Sequence, residues 1–301
     1  MNKFHPLKVL AIELLTSDSV KIKFDTSGLS NFNFMAGQYI TLRKIINNED
    51  VRRSYSLSSS PSQGIEIGVK RIENGLMSTF LTKELKIGDS IDVMPPTGNF
   101  YLDPNNKKNH YVAICAGSGI TPILSMLKQV LNNNFDSSFT LIYGNQSKDT
   151  TMFLDTLNLL ESKYKSQLNI HYVFSRQEIK NSLYGRINNT LLKELFKTDK
   201  KLNNADSYFL CGPGKMIDNV TDFLIDLGLE SSKINFERFT SVDTNSINDS
   251  DNKDEVLSSV MVSVDGDDFE FDLSSSGETI LDAAINAGAD VPFSCKGGVC
   301  C

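Results

Sequence analysis

The chain has 301 residues, of which 40% are hydrophobic and 22% are charged. This length favours two or more domains, and the apolar fraction is enough for sizeable cores. The five cysteines are an odd number, which argues against a disulfide framework and favours a reducing cytoplasm. The sequence has no run of about 18 apolar residues and no cleavage signature near its N-terminus, so we expect neither a membrane span nor a signal peptide.

Charge is unevenly distributed along the chain, whose net charge is −7. Residues 241–301 carry 13 acidic and 2 basic side chains, whereas residues 1–240 carry 24 acidic and 28 basic ones. The polar run at residues 240–259 has too few apolar residues to bury itself. It therefore predicts an acidic flexible linker over residues 241–257.

Residues 1–105 contain six short runs of alternating or β-branched residues, separated by glycine, proline and serine. This pattern predicts a small antiparallel β-barrel. The predicted strands are Leu7–Leu15, Val20–Phe24, Tyr39–Arg43, Arg53–Leu57, Ile65–Val69 and Ser90–Val93.

The fourth predicted strand carries Arg53, Tyr55 and Ser56, three residue types that suit a phosphorylated heterocycle. A guanidinium can clamp a phosphate with two hydrogen bonds, and a tyrosine ring can pack on a flat ring system. Because side chains alternate along a strand, Arg53 and Tyr55 point to one face and Ser56 to the other. The Ser56 hydroxyl could then bond a ring nitrogen that exchanges hydride. A serine-rich surface strand is the alternative for these residues.

The segment Gly75–Thr79 predicts a helix start, where free N–H groups can bind phosphate. Its candidate binding residues are Gly75, Met77, Ser78 and Thr79. The barrel is predicted to close with Met94–Phe100.

After a turn-rich loop at residues 103–109, the region 106–240 alternates apolar strands with helical segments. This alternation predicts an open α/β fold, with a parallel sheet and right-handed crossovers, of the kind that binds nucleotides. The predicted strands are Tyr111–Cys115, Phe139–Tyr143, Ile170–Phe174, Tyr208–Leu210 and Ile234–Phe236. The predicted helices are Ile123–Asn132, Phe153–Lys163, Thr190–Phe196 and Lys215–Leu227.

The first strand of this sheet runs into a glycine-rich turn and then a helix. Gly117 and Gly119 would let backbone N–H groups approach a pyrophosphate, whose charge the helix N-terminus favours. Ser118 and Thr121 complete the candidate binding turn, and Pro122 stands where the dinucleotide fingerprint would have a third glycine. Two glycines in a strand–helix turn are also common without a ligand.

Two further strand ends in this region carry candidate binding residues. Ser175 and Arg176 follow the third strand, and a hydroxyl with a guanidinium suits a phosphate better than a ribose diol. An exposed arginine at a strand end is also common without any ligand. Cys211, Gly212 and Pro213 form a turn after the fourth strand, where Cys211 is alternatively a buried thiol with no role.

The C-terminal region, residues 258–301, begins with elements typical of a β-grasp domain. Val260–Val264 and Phe269–Leu273 predict a hairpin, and Thr279–Gly288 predicts a short helix that a glycine ends. The region has only about half the length that such a domain needs, so a partial β-grasp domain is expected.

Cys295 and Cys300 have the C-x₄-C spacing that begins the plant-type ligand run for a 2Fe–2S cluster. The next cysteine of that run would fall two residues beyond the end of the sequence. We therefore expect a truncated module with an incomplete ligand set. A zinc site, or two cysteines that share this spacing by chance, are the alternatives.

These motifs, in this order, resemble those of the ferredoxin–NADP reductase superfamily. The segments that carry the resemblance are Phe34–Tyr39, Arg53–Ser56, Gly75–Thr79, Met94–Phe100, Gly117–Pro122 and Tyr208–Met216. The full order of barrel, α/β domain, acidic linker and ferredoxin-like module resembles the reductase components of bacterial multicomponent oxygenases. The chain departs from that pattern at Arg52, where histidine is common, and in the early end of its ferredoxin module.

The resemblance implies a multidomain protein whose cofactors are divided among its parts. It implies an FAD-binding β-barrel at residues 1–105, an NAD(P)-binding α/β domain at 106–240 and a truncated 2Fe–2S ferredoxin-like domain at 258–301. FAD is expected rather than FMN, because the Gly75–Thr79 segment suits a flavin pyrophosphate. An acidic module beside a mildly basic body fits an electron carrier that docks on a reductase, although the same acids also solvate the linker.

The resemblance also assigns roles to residues. Arg53, Tyr55 and Ser56 are expected to bind flavin, and hydride is expected to pass from NAD(P)H to flavin N5 between Ser56 and Cys211. Tyr55, Ser56 and Cys211 are thus the expected catalytic residues. The turn at residues 117–121 and the residues Gly212 and Pro213 are expected to bind the nicotinamide nucleotide. Ser175 and Arg176 are expected to meet the 2′-phosphate of NADP, with NAD as the other possibility, and Cys295 and Cys300 to bind iron.

The resemblance implies that single electrons then pass to the cluster and on to an oxygenase component or another acceptor protein, in the cytoplasm. No nucleic-acid partner is expected. Two other functions stay open from sequence: a stand-alone NAD(P)H-dependent flavin or quinone reductase of the same fold, and a non-catalytic nucleotide- or metal-binding protein.

Overall fold

The fold is given by a computed structural model that describes residues 3–103, 109–133, 136–239, 256–264, 266–289 and 291. The described residues divide into two compact units, one up to residue 239 and one from residue 256 onward. The first unit contains two six-stranded sheets, and the second contains a two-stranded sheet.

The first sheet is antiparallel and curled into a half-barrel, with strand order β4-β3-β6-β1-β2-β5. Its strands are β1 His5–Thr16, β2 Ser19–Phe24, β3 Tyr39–Ile46, β4 Glu49–Ser56, β5 Glu66–Lys70 and β6 Ser90–Thr97. All six predicted strands are therefore confirmed, because apolar residues supply one buried face, as at Ile40, Leu42 and Ile67. After β5, a single helical turn, α1 Leu76–Thr79, continues into a π-helical turn at Phe80–Glu84.

The second sheet is parallel throughout, with strand order β10-β9-β8-β7-β11-β12. Its strands are β7 His110–Ala116, β8 Ser138–Asn145, β9 Leu168–Phe174, β10 Leu183–Tyr184, β11 Ser207–Gly212 and β12 Ile234–Arg238. Its helices are α2 Ile120–Asn133, α3 Leu154–Lys163, α4 Asn189–Thr198 and α5 Gly214–Asp226. The predicted α/β fold is confirmed, but β10 was not predicted, because two residues are too few to show a period.

Both faces of the parallel sheet are covered. Ala113 and Cys115 of β7 belong to one buried cluster, and Val112 and Ile114 of the same strand belong to the other. Such double burial explains why these strands are continuous apolar runs rather than alternating ones.

The order of the strands places a crevice beside β7. From β7 the chain continues through β8, β9 and β10 on one side, and it then returns to add β11 and β12 on the other side. In open α/β sheets, ligands bind at the carboxyl ends of the strands where the order reverses in this way. The expected binding position is therefore the loop after β7 and the loop after β11.

The second unit contains the predicted hairpin and helix, as β13 Leu257–Val264, β14 Asp267–Ser274 and α6 Ile280–Asn286. The Thr279 hydroxyl caps the helix by accepting a hydrogen bond from the Asp282 N–H at 3.1 Å. Cys295 and Cys300 lie outside the residues that the structure describes. Among the described residues, no helix is both long enough and apolar enough to cross a bilayer.

Candidate functional site

The loop after β7 packs directly on the end of β11. A Cβ atom on Gly119 would overlap the carbonyl oxygen of Cys211 and lie 3.0 Å from the Gly212 nitrogen, so only glycine fits there. Gly117 has a φ of +57°, a left-handed conformation, and a Cβ placed on it would face open space. The two glycine motifs that the sequence predicted are thus brought together at the switch point, the place beside β7 where the strand order reverses.

Two hydroxyl groups hold the loop after β7 in shape. Thr121 Oγ1 donates to the Ser118 carbonyl at 3.0 Å, and the Tyr143 hydroxyl donates to the Gly117 carbonyl at 3.0 Å. Thr121 is buried, so its side chain supports the turn from the protein interior. The chain therefore presents a preformed loop, followed at once by the N-terminus of α2, which suits a pyrophosphate.

Cys211 closes the end of β11 and is fully buried. Burial raises the pKa of its thiol well above the usual value, and the nearby Glu237 and Cys115 raise it further. The thiol therefore stays protonated at neutral pH, which makes Cys211 a poor nucleophile but a suitable packing surface or weak donor.

Glu237 is a functional candidate that the sequence did not reveal. It lies on β12 directly beside Cys211 on β11, and its side chain is only 6% exposed. The Ser56 hydroxyl, which comes from the barrel, donates a hydrogen bond of 3.0 Å to Glu237 Oε2. Ser56 and Cys211 were predicted to face the same reaction, and Glu237 is the residue that connects them.

The sequence pattern gives no signal for Glu237. A strand normally buries an aromatic residue and exposes an acid. In the short strand β12 the reverse holds, because the aromatic Phe236 is 47% exposed while its acidic neighbour Glu237 is buried. A buried acid at a strand end is typical of functional sites, but only the tertiary structure reveals it here.

Burial raises the pKa of the Glu237 carboxyl to about 7, and its hydrogen bond with Ser56 opposes that shift. Glu237 can therefore hold or release a proton near neutral pH. The charge on this carboxyl decides which way the shared hydrogen bond with Ser56 points, because a carboxylate can only accept.

Arg53 and Tyr55 lie near the end of β4. Arg53 is exposed, and its Nη1 donates to the Arg52 carbonyl at 2.7 Å. Arg53 meets no carboxylate among the residues that the structure describes, so its guanidinium has capacity for a phosphate. Tyr55 packs against the barrel core, and burial raises the pKa of its phenol, which therefore stays neutral. Arg52, in contrast, pairs with Asp50 at 2.8 Å.

The predicted phosphate turn at Gly75–Thr79 has two side chains, Met77 and Ser78, turned inward. Met77 is part of the barrel core, and Ser78 is buried. Ser78 Oγ accepts from the Ile72 N–H at 3.1 Å and donates to the Gly75 carbonyl at 3.3 Å. Met77 and Ser78 thus stabilise the turn from within, so any ligand contact of theirs would have to come from the backbone.

Ser175 and Arg176 lie beside the end of β8. Their N–H groups donate to the carbonyl oxygens of Asn145 at 3.0 Å and Gln146 at 2.8 Å, and the Arg176 side chain is exposed. Asn145 Nδ2 is enclosed and has no hydrogen-bond partner among the described residues. A buried donor without a partner is costly, so this orphan amide fits a polar ligand at the same edge.

The described residues contain no group of three or more histidine, cysteine, aspartate or glutamate side chains that could hold a metal. The predicted iron ligands, Cys295 and Cys300, lie in the part of the chain that is not described, so this prediction stays as stated.

Three segments match known domains. Residues 6–101 match the oxidoreductase FAD-binding domain, residues 113–222 the oxidoreductase NAD-binding domain, and residues 262–301 the 2Fe-2S iron-sulfur cluster binding domain.

Relatives match the chain over most of its length. It is 37% identical over 305 residues to a component of the 1,2-phenylacetyl-CoA epoxidase of Escherichia coli K12, a match that covers 100% of this chain and 85% of the relative. It is 31% identical over 276 residues to the ferredoxin reductase component of 3-ketosteroid-9-alpha-monooxygenase from Mycobacterium tuberculosis H37Rv, a match that covers 89% and 72%. The FAD/NAD-binding domain of Vibrio cholerae nitric oxide dioxygenase has the same fold, with a TM-score of 0.68 and 24% identity over 79% of this chain and 99% of that one.

The close approach at Gly119 generates a stability prediction. Gly119→Ala should destabilise the protein by about 1–3 kcal/mol, because the new methyl group overlaps the Cys211 carbonyl and forces the two loops apart. Thermal or denaturant unfolding measures this change. Ser118→Ala, in the same loop, is the matched control and should be nearly neutral. Equal stability of the two variants would contradict the packing described here.

The raised pKa of Glu237 generates a pH prediction. Between its ordinary value of 4.5 and about 7, the folded protein binds a proton that the unfolded chain does not, so this group lowers stability as pH rises through that window. Glu237→Gln should therefore be more stable than the unsubstituted protein at pH 8, by up to about 3 kcal/mol, with no advantage at pH 4.5. Unfolding measured across this pH range checks the prediction. The exposed Glu230→Gln is the control, and a stability difference that does not change with pH would argue against it.

Proposed function

This chain belongs to the ferredoxin reductase components of oxygenase systems, and from that premise we propose that Ser56, Cys211 and Glu237 form its hydride-transfer site. The hydrogen bond between Ser56 and Glu237 is the observation that carries the proposal. It joins the flavin-binding sheet to the nicotinamide-binding sheet at the buried end of the crevice. No other buried polar contact between described side chains joins the two sheets beside Cys211.

The function predicted from sequence is confirmed at the level of the family. The protein is an NAD(P)H-dependent flavoprotein oxidoreductase with an FAD-binding domain, an NAD-binding domain and a 2Fe–2S domain, and its relatives are reductase components of oxygenase systems. The predicted resemblance to the reductase components of bacterial multicomponent oxygenases is also confirmed. Bound flavin supplies the conversion of a two-electron hydride donor into single-electron transfers, and the protein supplies orientation and electrostatics.

The barrel offers several groups that would hold the flavin. The guanidinium of Arg53, which meets no carboxylate among the described residues, would bind a flavin phosphate, and the neutral Tyr55 ring would pack on the flat ring system. The turn Gly75–Thr79, held by the Ser78 hydroxyl, would approach the pyrophosphate through its backbone. FAD fits better than FMN because Arg53 and this turn can each bind one phosphate of a pyrophosphate, and FMN has only a single phosphate.

The α/β residues that would hold the nicotinamide nucleotide surround the switch point. The preformed loop at Gly117–Gly119 and the N-terminus of α2 suit the pyrophosphate. Gly212 and Pro213 close the crevice on the β11 side, and the enclosed Asn145 amide offers a donor at the β8 side.

Glu237 would control the hydroxyl of Ser56 through one proton. While Glu237 is a carboxylate, Ser56 must donate to it, which leaves the Ser56 oxygen as an acceptor toward the crevice. Once Glu237 is protonated, it can donate to Ser56, whose hydroxyl hydrogen is then free to point outward. Because the pKa of this carboxyl is about 7, both arrangements are populated at neutral pH.

The finer assignments are also proposals. The exposed Arg176 beside Ser175 favours NADP, because a guanidinium recognises the extra 2′-phosphate. We place the domain limits at 1–105, 106–240 and 258–301, with an acidic linker at 241–257. An oxygenase component is the proposed electron acceptor, and the cysteine count favours a cytoplasmic protein.

Removing the flavin clamp tests the barrel assignment. Arg53→Ala should weaken FAD binding at least about tenfold, because a charge-assisted hydrogen bond to phosphate contributes about 1.5–3 kcal/mol. Flavin titration of the apoprotein measures this affinity. Arg52→Ala is the matched control, since the adjacent Arg52 already pairs with Asp50. Equal affinities of the two variants would remove Arg53 from the flavin site.

Cofactor choice is tested at Arg176. Arg176→Ala should raise the KM for NADPH about tenfold or more and leave the KM for NADH unchanged, because only NADPH has the extra phosphate. Steady-state reduction of ferricyanide with each nucleotide measures both values. Lys193→Ala, an exposed residue on α4, is the control. Equal losses for NADPH and NADH would show that Arg176 does not contact the 2′-phosphate.

A further inference from the structure

Helix α2 makes two buried polar contacts with the barrel, on its second and third turns. Ser125 Oγ donates to the Ser59 carbonyl at 2.5 Å, and Lys128 Nζ donates to the Ser58 carbonyl at 2.9 Å. Ser125 is fully buried and Lys128 is only 9% exposed. Both contacts therefore lie in the interior of the junction between the two sheets, where directional bonds have their greatest effect.

The barrel segment that accepts these bonds follows directly after the hydride-transfer residue Ser56. Ser58 and Ser59 are fully buried and fastened to the neighbouring strand. The Ser58 N–H donates to the Glu66 carbonyl at 2.8 Å, and the Glu66 N–H donates to Ser59 Oγ at 3.1 Å. A displacement of this rigid segment would be transmitted to Ser56, only two residues away.

The other end of α2 carries the nucleotide loop. The helix begins at Ile120, immediately after Gly119, and Ser125 and Lys128 lie about 8 and 12 Å further along its axis. One rigid helix thus connects the loop proposed to bind the pyrophosphate with the segment that follows Ser56. The spacing between the two halves of the reaction site depends on where this helix is fastened.

Burying a lysine at this position is costly. Burial lowers the pKa of Lys128 to about 8, against an opposing effect of Glu66, which means that the charged form is disfavoured in the folded protein. A methionine of similar length would pack there without that cost, but it would leave the buried Ser58 carbonyl without this donor. What lysine supplies and methionine does not is a directional bond to the Ser58 carbonyl.

We infer that Lys128 and Ser125 are positioning residues for hydride transfer, which set the distance between the nicotinamide held by the α/β domain and the flavin held beside Ser56. This inference rests on the proposed function. It assigns the two residues no contact with either cofactor. Their effect is on the geometry of the bound complex, so it appears in the rate of the chemical step rather than in cofactor affinity.

The test uses the FAD-bound full chain, mixed anaerobically with saturating NADPH while flavin absorbance is followed. Lys128→Met should slow flavin reduction about tenfold, since small misplacements of reacting groups have effects of this size or larger. Its FAD content and its Kd for NADPH should be unchanged, and its melting temperature should change little, because the relieved cost of burying the amine offsets the lost hydrogen bond. Ser125→Ala should also slow reduction with unchanged affinities. Lys193→Met, exposed on α4, is the matched control and should react at the original rate.

The outcomes separate this inference from the function on which it rests. Unaltered reduction rates in both variants would overturn the positioning role. The proposed function would still hold in that case, provided that NADPH or NADH reduces the flavin of the unsubstituted protein. If instead the unsubstituted protein is reduced by neither NADPH nor NADH, the proposed function itself fails. A slower reaction accompanied by loss of FAD and a lower melting temperature would indicate a structural role and would also overturn the inference. If Lys128→Met does not fold, Ser125→Ala decides.

Discussion

A buried carboxyl group needs a partner, and at Glu237 that partner comes from the other sheet. The hydrogen bond from Ser56 to Glu237 offsets part of the cost of taking this acid out of water, and its acceptor lies beside Cys211 on the neighbouring strand. The end of β4 is therefore held against the carboxyl ends of β11 and β12. A flavin bound along β4 and a nicotinamide bound at the switch point must meet at this place. The same carboxyl has a pKa of about 7, so the group that joins the two sheets can also gain or lose a proton near neutral pH.

Close backbone packing makes this junction possible. A Cβ on Gly68 of β5 would lie 2.8 Å from both Phe153 and Thr121, and one on Gly37 would overlap Met126 on α2. Both glycines belong to the barrel, while Phe153, Thr121 and Met126 belong to the α/β domain. Larger residues at these positions would push α2 away from the barrel and so lengthen the bonds that Ser125 and Lys128 make. Close packing and directional hydrogen bonds thus both set the distance between α2 and the barrel.

The architecture was predictable because it depends on local periodicity. The six barrel strands are short apolar or alternating runs separated by turn residues, and the α/β strands are continuous apolar runs separated by amphipathic helices, so both patterns could be recognised from short windows. The differences lie where no period is available, in a two-residue strand and at a helix end. β10 has only two residues, and α2 begins three residues before its predicted start because Pro122 is tolerated in a first turn.

The sequence by itself determined the order of domains, the family and the motifs that lie in one continuous segment, such as Arg53–Ser56, Gly117–Thr121 and Cys211–Pro213. These motifs are local because turns and strand ends need particular residues at fixed spacing. Only the tertiary structure decided which distant residues act on them. Glu237 is 181 positions from Ser56, and Lys128 is 70 positions from Ser58. Their roles follow from burial and from contacts between sheets, and neither property is encoded within a single window of sequence.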